Sequence, residues 1–166
     1  MQAIVAVDEN WGIGKENQLL FSIPKDLQFF REKTVNKVVV MGRKTLQSLP
    51  KSQPLKNRIN IVLTKSQLTI DNAICVNNHA DLFKVLQNYN SDDIFAIGGA
   101  MVYKDLLPYC SHIWVTKIFT DGKATHFFEN LDNLPNWQII ESMPVQVDNG
   151  YTFQVYRYKN NKIKNF

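Results

Sequence analysis

One acid stands apart from the others in the chain. Residues 12–34, GIGKENQLLFSIPKDLQFFREKT, begin as a glycine-bearing loop and turn into a helix that carries Asp26 between apolar residues. Leu27, Phe30 and Thr34 recur at spacings of three and four and share one helical face, with Asp26 one turn from Phe30. A carboxylate bordering such a face is shielded from water and placed to meet a cationic or hydrogen-bonding ligand. An Asp in a first helical turn also complements the helix dipole, and that role alone would account for it. Ser22 is expected to cap the helix, and Pro24 to sit in its first turn, where an N–H has no intrahelical partner to lose.

Two glycine turns suggest phosphate chemistry. Gly42-Arg43-Lys44-Thr45 directly follows the run KVVVM, where backbone N–H groups at a helix start can cradle a phosphate and two cations add charge-assisted contacts. Ile97-Gly98-Gly99-Ala100 stands at a comparable strand end, where the missing side chains would let a pyrophosphate approach the backbone. The bland alternatives are a solvated Arg-Lys turn and a tight turn that needs positive φ. Neither turn is a known nucleotide fingerprint, because the chain has no GxxxxGK[ST] and no GxGxxG opening a βαβ unit. Both nevertheless lie at the carboxyl ends of predicted strands, the edge at which open α/β sheets bind ligands.

Other chemistries find less support. His79, His112 and His126 are far apart, with no HExxH and no Cys-His cluster, so no metal site is expected. No GxSxG elbow marks a nucleophile. Trp11, Phe21, Phe29 and Phe30 would stack on a planar ligand or simply fill the core.

The elements that must position these residues follow from apolar periodicity. Strands are predicted at 2–7, 37–41, 58–63, 73–76, 93–97 and 112–119, and helices at 24–34, 44–48, 81–87 and 100–107. Two final strands, 137–143 and 151–158, are separated by Asp148-Asn149-Gly150, a strong hairpin signal. Crossover helices followed by a hairpin predict a mixed α/β fold. Its central sheet has about eight mainly parallel strands, with helices on both faces and an antiparallel C-terminal hairpin.

Composition sets the outer bounds. A chain of 166 residues with 45% apolar and 20% charged residues suits one domain, 1–166, within which 37–107 could move as a subdomain. The net charge of +4 favours phosphorylated small molecules and gives no sign of nucleic-acid binding. The basic tail, 159–165, is expected to fray. Cys75 and Cys110 read as small buried residues of a reducing compartment. The start MQAIVAVDEN lacks a leader pattern and no run reaches membrane length, so cytoplasmic residence is the default and a monomer the default state.

Taken together and in order, WGIGKEN, PKDLQFF, VVMGRKT and AIGGAMVY resemble dihydrofolate reductase of the bacterial chromosomal size class, and the similarity continues through Thr116 in HIWVTKIF and THFF at 125–128. The resemblance implies NADPH-dependent reduction of 7,8-dihydrofolate, and antifolates as inhibitors. It makes Asp26 the active-site carboxylate that binds the pterin and promotes N5 protonation, with Thr116 completing its hydrogen-bond network. Ala6, Leu27, Phe30, Leu49, Leu55 and Ile97 would line the folate pocket, and Arg58 would take the glutamate α-carboxylate. Residues 14–22 would form the loop that closes over nicotinamide, with Ala6, Ile13, Gly14 and Leu19 near that ring. Gly42, Arg43, Lys44 and Thr45, with Thr64 and Lys65, would hold phosphates including the 2′-phosphate, and Gly98, Gly99, Ala100, Met101 and Val102 would cup the pyrophosphate.

Four positions depart from the family pattern. Leu20-Phe21 replaces a common Pro-Trp, which removes an indole donor near the pterin. Leu19 stands for a frequent methionine and Lys44 for an occasional histidine. A pyrimidine reductase of riboflavin synthesis, of related fold, and a non-catalytic nucleotide-binding module are the alternatives. Asp26 with Arg58, suited to a pterin tethered to a glutamate, weighs against the first.

Overall fold

Near-continuous runs of Val, Ile and Met build the centre of the sheet, as strands covered on both faces require. The computed structural model describes all 166 residues. Four strands whose carboxyl ends share one edge are β1 (Gln2–Val7), β3 (Val38–Gly42), β4 (Ile59–Leu63) and β5 (Ala73–Val76). They are joined there by β6 (Ile94–Gly98) and β7 (His112–Ile118). Three antiparallel strands complete the sheet: β9 (Trp137–Ser142), β10 (Gln146–Asp148) and β11 (Tyr151–Asn160). The order is β10-β11-β7-β1-β6-β3-β4-β5, parallel from β7 to β5. Strands β9 and β10 pair with successive parts of β11, and Pro144 lies in the gap between them, where a residue without an N–H interrupts the edge. Counting that broken edge once gives the eight ribbons expected.

Alternation along the strands sends side chains to two separate layers. On one face Val5, Val40, Ile61, Ala96 and Val115 pack with Leu82 and Leu86 of α3 (His79–Leu86) and Val102 and Leu106 of α4 (Ala100–Leu106). On the other, Ile4, Phe95 and Trp114 meet Phe29 and Phe30 of α1 (Pro24–Thr34), while Val39, Met41 and Val62 meet Leu46 of α2 (Arg43–Ser48). Helices thus cover both faces, as the pattern required. No helix is long and apolar enough to cross a membrane.

Four local expectations need correction. Ser22 does not cap α1: the cap is Ile23, which Pro24 forces into extended backbone and which is buried against Ile118 and Phe153. The acceptor for that first turn comes from far away, because Lys25 N–H donates to the Asp148 carboxylate at 2.8 Å. The hairpin closing at Asn149-Gly150 joins β11 to β10 and not to 137–143; both turn residues have positive φ, as a two-residue turn of this hand demands. The tail is anchored and not frayed: Asn160 is buried, Lys164 N–H bonds Pro108 O at 2.8 Å, and Phe166 stacks on Phe83. Finally, β2 (Gly12–Gly14) and β8 (His126–Phe127) form a small second sheet that no apolar run announced, since such short strands carry too few residues for a period.

Candidate functional site

Strands β1 and β7 run side by side with Ala6 opposite Thr116, and α1 crosses above that pair. Thr116 is a buried polar residue in an apolar strand, and its hydroxyl donates to Asp26 Oδ1 at 2.6 Å. Burial raises the pKa of Asp26 above the ordinary carboxylate value, and the Thr116 hydrogen bond opposes that rise by favouring the charged form. The acid faces a narrow apolar cavity lined by Ala6, Ile13, Leu19, Leu20, Phe21, Ile23, Leu27 and Ile118. Leu27, on the apolar face of the helix, is 48% exposed there, which marks an open wall where a core would have closed it.

The other expected folate residues continue along the same side of the sheet. Phe30 and Ile97 pack beside Phe95 and Trp114, and Ile97 also joins Leu49 and Leu55 against Val39 and Leu46. Beyond Phe30 stands Arg58, its guanidinium 6.0 Å from the Phe30 ring centre and its Nε donating to Thr34 Oγ1 at 3.2 Å. Its pKa is lowered by burial and by the neighbouring Arg31, and no carboxylate forms an ion pair with it. A cation held this way is ready for an incoming carboxylate.

The two glycine turns lie next to each other. A Cβ on Gly98 or Gly99 would come within 3.3 or 3.4 Å of Thr45 Oγ1, and one on Gly42 within 3.4 Å of Val102, so the start of α2 abuts the start of α4. Gly98 also has φ of +130°, a conformation that favours glycine. Arg43 Nη1 donates to Ser66 Oγ at 3.3 Å, which brings the turn after β3 to the segment after β4 that holds Thr64 and Lys65. Lys44 and Lys65 are exposed and Thr64 is buried. Ala100 and Met101 open onto a cavity of about 260 Å³ shared with Lys104, Phe127 and Glu129. Ile13, Gly14 and Leu19 belong to the loop that begins with β2, and this loop turns tightly through Glu16 and Asn17, both at positive φ.

Three residues that matter to this geometry were not singled out by the motifs. Asp8, 2% exposed, accepts Gly12 N–H at 2.7 Å and Asn10 N–H at 2.9 Å through one oxygen, and Gly122 N–H at 3.0 Å through the other. Gly122 in turn lies under Leu20 and Phe21: a Cβ there would meet both side chains at 2.9 Å. Asp148 fixes the start of the helix that bears the acid. The Asp-Glu-Asn run after β1 reads only as a strand end and Asp148-Asn149-Gly150 only as a turn, so a local signal existed for two of them, but the partners that tie them to this site, Gly122 for Asp8 and Lys25 for Asp148, lie over a hundred residues away.

No group of three His, Cys, Asp or Glu side chains is close enough to hold a metal ion. An acid can hold a planar ring at one part of this edge, and two glycine turns can hold a phosphorylated chain at the other. Fold and site therefore define a class: an open α/β protein whose ligand edge pairs an acid in an apolar cavity with two adjoining glycine turns suited to phosphate.

Relatives narrow that class. The family model described as dihydrofolate reductase matches residues 1–160. Dihydrofolate reductase of Bacillus subtilis is 33% identical over 162 residues, 95% of this chain and 94% of that protein. The Haemophilus influenzae enzyme is 35% identical over 136 residues, 82% of each chain. Among solved structures, dihydrofolate reductase from Enterococcus faecalis complexed with NADP(H) and RAB-propyl superposes with a TM-score of 0.86 at 30% identity, covering 96% of this chain and 95% of that one. The chain belongs to the dihydrofolate reductase family, and its reaction is the NADPH-dependent reduction of 7,8-dihydrofolate to 5,6,7,8-tetrahydrofolate.

Proposed function

We propose that Asp26 is the residue that binds the pterin and governs protonation of N5, with Thr116 positioning it. The observation that carries this reading is the 2.6 Å bond from Thr116 to a half-buried carboxylate of raised pKa, facing an apolar cavity. When bound, NADPH supplies a hydride from nicotinamide C4 to substrate C6. The chain's own part is to align the substrate, exclude water and deliver one proton to N5, which makes C6 more electrophilic. Asp26 accepts hydrogen bonds from the 2-amino and N3 edge of the pterin and keeps a proton available to N5. Ala6, Leu27, Phe30, Leu49, Leu55 and Ile97 enclose the substrate, and Arg58 takes the glutamate α-carboxylate.

The residues on the cofactor side fit a phosphorylated dinucleotide, because the packing of Gly98 and Gly99 against Thr45 leaves backbone where side chains would block approach. Gly42, Arg43, Lys44, Thr45, Thr64 and Lys65 hold the phosphates, and Gly98, Gly99, Ala100, Met101 and Val102 receive the pyrophosphate. Ala6, Ile13, Gly14 and Leu19 border the nicotinamide, whose lid is the loop 14–22. Residues 37–107 act as the cofactor-binding subdomain within one domain, 1–166. The chain works as a cytoplasmic monomer, with no membrane or nucleic-acid partner, and binds antifolates as the Enterococcus faecalis enzyme binds RAB-propyl.

Rapid mixing with dihydrofolate and NADPH, followed as loss of NADPH absorbance, tests the acid. Asp26→Asn keeps the fold and most NADPH affinity and slows hydride transfer, most severely at high pH, where solvent cannot supply the missing proton. A variant as fast as the parent at every pH would overturn the assignment.

A further inference from the structure

Strands β4 and β5 are parallel and in register, Leu63 opposite Val76, so the chain leaves the sheet at Thr64 and Asn77 side by side. Thr64 N–H continues the ladder to Val76 O at 2.9 Å. The next residue, Asn77, is exposed, yet its amide makes two hydrogen bonds, to Thr64 O at 2.9 Å and Ser66 O at 3.1 Å. The segment they hold is tied twice more: Ser66 N–H donates to Thr64 Oγ1 at 3.2 Å, and Ser66 Oγ accepts from Arg43 at 3.3 Å. One surface amide thus sets the curl of residues 64–66 and, through Ser66, the resting place of the Arg43 guanidinium.

We propose that Asn77 is a specificity-positioning residue, which sets the enzyme's preference for a 2′-phosphorylated cofactor without touching the phosphate. The inference rests on the assignment of Arg43, Thr64 and Lys65 to that phosphate. Carbonyl oxygens repel a phosphate, and two of them stand in this segment. The Asn77 N–H groups engage both and fix the turn in a form compatible with an anion. Neither bond belongs to the sheet ladder.

The test compares NADPH with NADH, which differ only in the 2′-phosphate, in steady-state kinetics of the whole enzyme. Binding of adenosine 2′,5′-bisphosphate and of 5′-AMP is measured beside it. Asn77→Asp sets acceptor oxygens against both carbonyls and adds a negative charge; it is expected to lower the NADPH-over-NADH preference and the affinity for the bisphosphate roughly ten- to hundred-fold. Asn77→Ala, which removes the bonds without adding charge, is expected to give a smaller loss. The KM for dihydrofolate, the NADH kinetics and 5′-AMP binding stay at parental values. A merely structural role would weaken both cofactors together, and that result overturns the proposal. If Arg43→Ala loses the preference while both Asn77 variants keep it, the inference fails and the phosphate assignment stands. If Arg43→Ala leaves the preference intact, the assignment itself fails and the inference with it.

Discussion

Replacing Thr116 by Val isolates the one hydrogen bond on which the acid depends. Val keeps the branched shape at a buried position between Ala6 of β1 and Val155 of β11, so the sheet retains its packing while Asp26 loses the donor held at 2.6 Å. That bond favours the ionised carboxylate. A hydrogen bond to a charged group is worth about 1.5–3 kcal/mol, so its loss raises the Asp26 pKa further. Burial, already the larger influence on this group, then acts without its counterweight. Carboxyl carbon NMR of labelled Asp26 follows the titration directly. The pH dependence of single-turnover hydride transfer follows it functionally, since the rate declines as the acid loses its proton. Both midpoints should move to higher pH by similar amounts. A midpoint that stays in place or moves down would refute the reasoning, because the hydroxyl would then not be stabilising the charged form.

Asp26→Asn also carries a stability prediction. Since the folded pKa is raised, the native state binds the proton more tightly than the unfolded chain; the stability this gives is complete below the unfolded pKa and is lost as pH rises through the folded one. The variant escapes that loss, so its advantage over the parent in urea denaturation should grow from acid to neutral pH, and a constant difference would contradict it. Gly122→Ala should lower stability by about 1–3 kcal/mol and raise the KM for dihydrofolate, because the new methyl meets Leu20 Cβ at 3.1 Å as well as the softer ends of Leu20 and Phe21; parental values in denaturation and kinetics would show that the loop yields freely. Arg43→Ala should weaken NADPH about ten- to hundred-fold and NADH little, read from KM at fixed ionic strength.

How much of this was legible beforehand depends on the range of the interaction. Runs such as VVVM and INIVL announced the parallel strands, because a strand covered on both faces tolerates little else, and Gly98-Gly99 marked a sheet end because a missing side chain is itself a local fact. Asp26 was conspicuous by its apolar neighbours, but its meeting with Thr116, ninety residues on, came only from the family resemblance. The cap of α1 was misplaced for the same reason: Ser22 is a plausible local cap, whereas the donor-accepting group is Asp148, 123 residues away. The fraying expected of the basic tail overlooked Phe166, whose ring finds Phe83 and Tyr109 only after the sheet has formed.

The bond from Lys25 N–H to Asp148 is matched by a second, from the Asn149 side chain to Ser22 O at 2.7 Å. Together they staple the root of α1 to the tip of the final hairpin, a closure of very long range and therefore slow to form. The consequence is one of assembly order. The helix that bears Asp26 gains both of these anchors only once the C-terminal hairpin has closed.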